Sequence, residues 1–386
     1  MFATFSYLWT EKHVEYRLNM RLKKLSLINF KNLAQQDIEF EQGINCFVGD
    51  NGTCKTNIVD AIHYLAMCKS ALGMSDSQCV LHGEEFFVID GTFSNEDERK
   101  EQIVCTYNRG NQKIIKRNGK AYERFSDHVG LIPAVIVSPA DSMLISDSAE
   151  ERRRYINAFI SQFDRDYLAA MIRYNGALAE RNKYLKIGSD EQMLLIYDMQ
   201  LASAATKIFE RRKEMTARLQ PIVAQYYKIL SGDRESVSLA YRTDLEEGEL
   251  TDLLLKSREK DCILGHTTVG IHRDEILFTI GDVPLRKYGS QGQQKSFIIA
   301  LKLAQYQIIA EQTGKRPILL LDDVLPSSSP LLRATVSVKS SSPIAATSAW
   351  SDCLQIAVPT TNFLMSHTEK LSANETQRSP TYRRAI

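Results

Sequence analysis

Several short stretches of the chain alternate apolar and polar residues with a period of two, and this pattern predicts β-strands. The first, MRLKKLSLINF, begins at Met20 and brings Leu25 and Leu27 to one face. Apolar runs without alternation, such as INCFVG, predict strands buried on both faces. Further strands are predicted at QQDIEF, LIPAVIVSP, VSLAYR, IHRDEILFTIGDVPLRKYG and RPILLLDD.

Helical spacing of apolar residues marks other parts of the chain. Ile58, Ile62 and Leu65 recur at this spacing directly after INCFVG and a glycine-containing loop. Two long charged segments with helical periodicity follow, ERRRYINAFISQFDRDYLAAMIRYNGALAERNKYLK and EQMLLIYDMQLASAATKIFERRKEMTARLQPIVAQYYKIL, and predict an antiparallel helical hairpin. A last helix is predicted at QQKSFIIALKLAQYQIIAEQ. We therefore predict an α/β fold with a mixed sheet and a helical insertion.

Composition excludes several classes of protein. The 386 residues are 44% hydrophobic, and 48 Lys and Arg balance 47 Asp and Glu to a net charge of +1, so an anionic partner would need a local basic patch. Seven cysteines form no C-x-x-C pair, which is typical of reduced thiols. The chain shows neither a signal peptide nor an apolar run of bilayer length, so we expect a soluble cytoplasmic protein.

The segment GDNGTCKTN nearly matches the phosphate-binding P-loop pattern G-x-x-x-x-G-K-[ST], except that Cys54 replaces the second glycine. In such a loop, backbone N–H groups surround the phosphates, the lysine neutralises them and the hydroxyl binds Mg²⁺. The predicted strand before it and helix after it favour this function over a Gly/Asn turn that precedes a lysine by chance. The candidate nucleotide-binding residues are Gly49, Asp50, Asn51, Gly52, Thr53, Cys54, Lys55 and Thr56.

Two more segments carry candidate chemistry. Asp322 and Asp323 end the buried strand ILLLDD, where one carboxylate can hold Mg²⁺ through water and the other can polarise an attacking water. Ser290, Gly292 and Gln293 open a predicted helix, whose N–H groups and dipole suit a phosphate. Alone, the first segment could be a solvated strand end and the second a polar helix cap. The order P-loop, S-x-G-Q, Asp-Asp is nevertheless that of an ABC-type ATPase head.

Several motifs, collinear from Met20 to about Asp323, together resemble the RecF family of bacterial recombination mediators. Patterning, composition and the resemblance together divide the chain into five segments: an N-terminal extension, a first ATPase lobe with the P-loop, a helical lobe, a return to the ATPase core and an atypical tail. We place them at residues 1–19, 20–121, 122–265, 266–324 and 325–386. The motifs are FKNL, GDNGTCKTNIVDAIHYL, HGEEFFVIDGTF, VIVSPADSMLI with ERRRYIN, GIHRDE, YGSQGQQKSFIIALKLAQ and PILLLDD.

By this resemblance, Lys55 and Thr56 would bind the phosphates of ATP and Mg²⁺. Asp322 would serve the metal, and Asp323 would serve the hydrolytic water. Ser290, Gly292 and Gln293 would reach the ATP of a second copy, so that ATP holds a head-to-tail homodimer together. The implied function is ATP-gated binding of single-stranded and gapped duplex DNA in replication, repair and the SOS response, with slow ATP hydrolysis and with RecO and RecR as partners that help to load the recombinase.

Residues that contact DNA are harder to identify. A stripe of positive side chains on the helical segment could bind phosphates, although such residues more often pair with nearby glutamates. His272 and Arg273 of GIHRDE could line the nucleotide or a subunit interface, or form a structural ion pair with Asp274. The candidates for the stripe are Arg152, Arg153, Arg154, Arg181 and Lys183.

Two departures from the family pattern suggest an impaired protein. Cys54 adds a side chain where glycine lets the backbone approach the phosphates, so we expect weakened ATP binding; a redox switch at this thiol is a minor alternative. After about Val324 the chain becomes rich in Ser, Thr, Ala and Pro, which predicts disorder and suggests a shifted reading frame or a degraded gene copy. The sheet would then lack its last strands.

Other functions remain open for this sequence. One is an inactive RecF-like remnant that has the fold without ATP binding. Another is an ATPase of a neighbouring family, such as a transporter subunit, an SMC-like protein or the ATPase half of an overcoming-lysogenisation-defect nuclease. The helical insertion argues against the transporter and is too short for an SMC coiled coil, and no acidic nuclease segment follows Asp323.

Overall fold

A computed structural model describes residues 20–47, 54–94, 99–110, 112–188, 191–323 and, for the backbone alone, 354–357. The predicted extension at 1–19 and most of the predicted tail lie outside these residues. Within the described part of the chain, none of the helices is both long enough and apolar enough to cross a membrane.

The first sheet has six antiparallel strands in the order β2-β1-β4-β5-β6-β7. Its inner face is apolar because alternate side chains of each strand point the same way, as Leu25 and Leu27 do in β1. The rings of Phe30, Tyr64 and Phe87 pack edge to face beneath it. Its strands are β1 Arg21–Phe30, β2 Leu33–Glu39, β4 Phe86–Ser94, β5 Lys100–Asn108, β6 Ile114–Arg117 and β7 Lys120–Ala121.

The second sheet has four strands in the order β3-β13-β12-β8: β3 Ile44–Phe47, β8 Ala134–Val137, β12 Ile318–Leu321 and β13 Leu354–Ala357. β12 pairs with β8 in parallel, whereas β13 runs antiparallel to both β12 and β3. The sheet is therefore mixed, as predicted. The expectation that it lacks strands after Asp323 is wrong, because the backbone of β13 pairs with a strand on each side.

Helix α1, Lys55–Met67, contacts strands of both sheets. Ile58, Ile62 and Leu65 are buried, as their spacing predicts. The helix begins at the carboxyl end of β12, because Thr56 contacts Asp322, the residue after that strand. The three buried apolar side chains hold α1 against the sheet. The N-terminus of the helix therefore lies at the edge of the sheet.

The helical insertion is present and is built around an antiparallel hairpin of α4, Arg165–Ile187, and α5, Glu191–Ser231. Helix α5 has 41 residues and is about 60 Å long. A three-stranded sheet, β11-β10-β9, packs against the C-terminal half of α5. The elements are α2 Met143–Ser146, α3 Ala149–Ser161, α4 Arg165–Ile187, α5 Glu191–Ser231, α6 Leu250–Leu264, α7 Leu285–Tyr288, β9 Val237–Arg242, β10 Glu275–Ile280 and β11 Val283–Pro284.

Helix α8, Gln291–Thr313, connects the insertion with the second sheet. It packs along α5 and β8, and its last turn leads through Gly314 into β12. Helix α8 therefore runs antiparallel to β12, and its first turn projects beyond the carboxyl end of that strand. The protein is therefore an α/β body with a helical lobe, in agreement with the predicted fold class.

Candidate nucleotide site

Thr56 and Asp322 meet at the carboxyl end of β12. The Thr56 hydroxyl donates a hydrogen bond of 3.0 Å to Asp322 Oδ1, although the two residues are 266 positions apart. The backbone N–H of Asp322 donates to the Val137 carbonyl of the neighbouring strand at 2.9 Å. The predicted P-loop hydroxyl and the first predicted carboxylate therefore lie in one site.

The surroundings of Asp322 favour a cation. The residue is only 6% exposed. Burial raises the pKa of the Asp322 carboxyl above its usual value and Asp323 adds to this effect, whereas the Thr56 hydrogen bond and the charge of Lys55 oppose it. A hydroxyl and a carboxylate are hard oxygen ligands of the kind that Mg²⁺ prefers. These residues fit a magnesium nucleotide.

Lys55 and Asp323 flank this pair. Lys55 is half-buried and is the first residue of α1, so it belongs to the end of the helix at which the dipole is positive. Asp323 is exposed, and its φ of 46° turns the chain away from the direction of β12. An exposed carboxylate beside a buried one is suited to contact water. The remaining P-loop candidates, Gly49, Asp50, Asn51, Gly52 and Thr53, lie outside the described residues.

Cys54 caps α1 with a left-handed backbone, at φ 69° and ψ 10°. Glycine reaches this region at no steric cost, whereas a residue with a Cβ is strained there. The position of the missing glycine is thus one at which glycine's conformational freedom is required. The half-buried Cys54 side chain adds atoms at the mouth of the helix.

The segment Ser290–Gln293, here called the signature segment, opens α8 through a reciprocal cap. Ser290 Oγ accepts from the Gln293 N–H at 3.3 Å, and Gln293 Oε1 accepts from the Ser290 N–H at 2.7 Å. Ser290 and Gly292 are exposed, and the Ser290 hydroxyl keeps its own proton to donate. The polar cap and the candidate phosphate-binding segment are therefore the same structure.

The signature segment lies outside the Thr56–Asp322 contact of its own chain. Lys302 of α8 forms an ion pair of 2.6 Å with Asp141, which follows the carboxyl end of β8. Ser290 precedes Lys302 by twelve residues, so it lies about 18 Å further along the helix axis. The two halves of the predicted site are therefore separated within one chain.

The FKNL motif reaches α1, which sequence reasoning did not predict. Lys31 forms a buried ion pair of 2.6 Å with Asp60, and Asp60 also accepts from Ser70 Oγ at 2.7 Å. The Asn57 amide, next to Thr56, donates to the Asn32 side chain. The β1–β2 turn thus holds both the start and the middle of α1. The residues of FKNL, which precede the P-loop in the sequence, carry no pattern that indicates this contact.

The GIHRDE motif is a buried support for the helical lobe. Asp274 pairs with Arg212 of α5 at 2.5 Å, not with the neighbouring His272 or Arg273, and also accepts from the Tyr241 hydroxyl. Burial lowers the pKa of His272 to about 4, and this ring is held by Tyr174 and the Thr267 carbonyl. The ion pair predicted between Asp274 and His272 or Arg273 is therefore wrong, because Asp274 pairs with a cation 62 positions away.

Most of the predicted basic stripe has structural partners. Arg181 is fully buried between Asp198 and Asp261, and Arg152 is buried against Glu275. The DNA interpretation is wrong for these two, because a buried guanidinium cannot reach a phosphate backbone. Half-buried Arg153 donates to the Asp274 carbonyl, while Arg154 and Lys183 are exposed and pair with glutamates on their own helices.

The fold and this site define a P-loop ATPase head, and residues 21–327 match the family described as the RecF/RecN/SMC N terminal domain. RecF of Flavobacterium johnsoniae is 47% identical over 79% of this chain and 86% of its own length, and RecF of Phocaeicola vulgatus is 44% identical over 79% and 83%. The chain therefore belongs to the RecF family of DNA replication and repair proteins.

Solved structures agree with this assignment. A structure of the recombination mediator RecF with ATP, from the RecFOR pathway, superposes with a TM-score of 0.78 at 30% identity and covers 85% of this chain and 92% of its own. A second RecF structure, with ATPrS, gives a TM-score of 0.76 at 31% identity, covering 82% and 90%.

Proposed function

We propose that this chain is an ATP-gated DNA-binding protein of recombinational repair. The observation that carries the proposal is the Thr56–Asp322 contact, which brings the P-loop hydroxyl to a buried carboxylate at the end of β12. Lys55 and Thr56 would hold the phosphates and Mg²⁺ of ATP, with Asp322 serving the metal. Asp323, which is exposed beside them, would orient water for slow hydrolysis.

The separation of the signature segment supports a dimer. Since Ser290 lies about 18 Å along α8 from the level of Asp141, it is available to a second copy and remote from its own site. In a head-to-tail homodimer, Ser290 and Gly292 of one copy would contact the phosphates bound by the other. Bound ATP, which supplies the triphosphate bridge, would then control assembly.

The wider assignment rests on the family. We infer that the dimer binds single-stranded and gapped duplex DNA in the cytoplasm, where bacterial chromosomal DNA lies, and acts with RecO and RecR in loading the recombinase. Relatives named as DNA replication and repair proteins and a solved relative from the RecFOR pathway support this inference.

Gel filtration with light scattering tests the proposal. The chain is expected to be monomeric alone, to dimerise with Mg²⁺ and ATP, and to elute earlier again with gapped DNA. Thr56→Ala removes the proposed metal ligand and should remain monomeric with ATP. Thr206→Ala, which changes an exposed threonine of α5, is the matched control and should dimerise like the wild type.

One observation favours a second candidate, a RecF-like chain that no longer binds ATP. Cys54 occupies the left-handed position at the mouth of α1. If equilibrium dialysis detects no ATP binding by the wild type but clear binding by Cys54→Gly, this second candidate is correct. Binding by both forms supports the first.

A further inference from the structure

A short polar chain links the signature segment to the long helix α5. Gln293 Nε2 donates to Glu235 Oε1 at 2.8 Å, and the other oxygen of Glu235 accepts from the Tyr227 hydroxyl at 3.2 Å. Glu235 lies in the turn between α5 and β9, and Tyr227 is a buried residue of α5. The amide of Gln293 is therefore held from outside its own helix.

The two ends of the Gln293 amide have different partners. Its oxygen accepts from the Ser290 N–H at 2.7 Å, while its nitrogen donates to Glu235. An amide side chain can be turned over with little change in shape, and only its partners decide which end points where. A carboxylate accepts and cannot donate, so Glu235 selects the orientation in which the Gln293 oxygen faces Ser290.

We propose that Glu235 is a positioning residue that fixes the signature segment for contact with the nucleotide of a second copy. It acts through Gln293, whose correctly oriented oxygen holds the Ser290 backbone and thus aims the Ser290 hydroxyl. Tyr227 anchors Glu235 to α5, since burial raises the pKa of Tyr227 to about 12 and keeps its hydroxyl protonated as a donor. The inference rests on the proposed function, because it assigns a residue to the dimer contact.

The charge of Glu235 makes the direction of the effect informative. A carboxylate near the signature segment would repel a triphosphate held by a second copy. If Glu235 acted only through its charge, its removal would therefore strengthen ATP-dependent dimerisation. If it acts by orienting Gln293, its removal weakens dimerisation, and the two explanations predict opposite signs.

The first test is the ATP-dependent dimer of the full chain, measured by sedimentation with Mg²⁺ and ATP. Glu235→Ala should weaken the dimer about tenfold, the loss expected for one misplaced hydrogen-bonding group, while ATP affinity of the monomer stays unchanged. Glu235→Gln, which keeps an oxygen acceptor for Gln293, should stay within about twofold of the wild type. Glu259→Ala, at an exposed position of α6, controls for the loss of one negative charge.

A second test isolates the route through Gln293. The double variant Glu235→Ala with Gln293→Ala should dimerise no worse than Gln293→Ala alone, because the second change removes the group through which the first acts. Additive losses in this cycle would overturn the inference, as would unchanged or tighter dimerisation by Glu235→Ala.

Hydrogen exchange of the monomer separates this inference from the proposed function. In Glu235→Ala, the Ser290 N–H should exchange faster than in the wild type, whether or not ATP is present, while amides in the middle of α8 should not change. A wild type that never dimerises refutes the proposed function. Unchanged exchange at Ser290 refutes the positioning role of Glu235 regardless of that result.

Discussion

Arg181 of the helical lobe and Asp322 of the candidate nucleotide site are both buried charged residues, but their partners differ. Arg181 is 0% exposed and lies between two carboxylates, 2.6 Å from Asp198 and 2.8 Å from Asp261, with Thr267 as a further acceptor. Asp322 has a hydroxyl partner, a second carboxylate beside it and a pKa above its usual value.

We interpret Arg181 as a structural charge and Asp322 as a candidate functional charge. Around Arg181, opposite charges from α4, α5 and α6 meet and fasten three helices together. Around Asp322, burial and Asp323 raise the pKa of the carboxyl more than Thr56 and Lys55 lower it, and a cation would relieve the cost of ionisation. For these two residues, the charges of the neighbouring groups, and not burial itself, distinguish the structural residue from the candidate ligand of a cation.

Removal of Arg181 should have the largest effect on folding. Arg181→Ala leaves Asp198 and Asp261 buried without this cation, so we expect a loss of about 3–5 kcal/mol in the free energy of unfolding. Urea denaturation followed by circular dichroism measures it. Lys183→Ala, two residues away with an exposed 3.9 Å ion pair, should change this quantity by less than about 0.5 kcal/mol. Equal losses in both variants would contradict the comparison.

Replacement of Cys54 by glycine should stabilise the folded chain and raise its affinity for ATP. Relief of the left-handed backbone is worth about 1–2 kcal/mol, of which the greater freedom of glycine in the unfolded chain offsets part, so we expect a net gain of about 0.5–1 kcal/mol. ATP affinity, measured by calorimetry, should rise. Cys54→Ala keeps the Cβ and removes only the thiol, so it should gain neither stability nor ATP affinity.

Asp322→Asn should separate stability from function. The raised pKa means that ionisation of Asp322 costs stability. This cost is absent when the pH is below the usual pKa of the carboxyl, and it grows as the pH rises through the pKa of the folded state. At neutral pH the variant should therefore be as stable as the wild type or more so by up to about 1 kcal/mol, yet lose Mg²⁺-dependent ATP binding. A marked destabilisation at neutral pH and a stabilisation at pH 3 would reverse the assigned sign.

Arg154→Ala should have the smallest effect on folding, because both of its glutamate partners are on its own exposed helix face. We expect less than about 0.5 kcal/mol in unfolding free energy. If Arg154 contacts the DNA backbone, the variant should lower the salt dependence of DNA binding by about one charge. Fluorescence anisotropy between low and moderate salt measures this slope, and an unchanged slope removes Arg154 from the interface.

The sequence allowed prediction of the parts of the fold that rest on local periodicity or on motifs. The strands at β1, β8, β9 and β12 and the helices α1, α5 and α8 lie where their patterns predict them. The proximity of Thr56 and Asp322 followed from the P-loop and the Asp-Asp strand end. The roles of the candidate site residues stay predictions, as do the five segment boundaries.

Side-chain partners distant in sequence could not be predicted. An arginine on a charged helix has the same local pattern whether its head group is solvated or buried, so the burial of Arg181 and Arg152 could not be predicted from their helices. Asp274 finds Arg212, and Gln293 finds Glu235, through packing of elements joined by no local pattern. Antiparallel pairing of β13 likewise depends on backbone contacts with β3 and β12, which short apolar segments do not specify.

Two side-chain contacts attach α5 to α8, so a rotation of α8 would move the helical lobe with it. Arg218 pairs with Glu311 at 2.6 Å and Tyr226 bonds to Gln307 at 3.0 Å, so both ends of the stretch around Pro221 are fixed to α8. The helix extends about 30 Å from Arg218 to Asp198, and the Tyr226 contact lies on the other side of Arg218. A rotation of α8 by roughly 10° would swing the far end by about 5 Å, so even a small movement of α8 would be enlarged at the end of the arm.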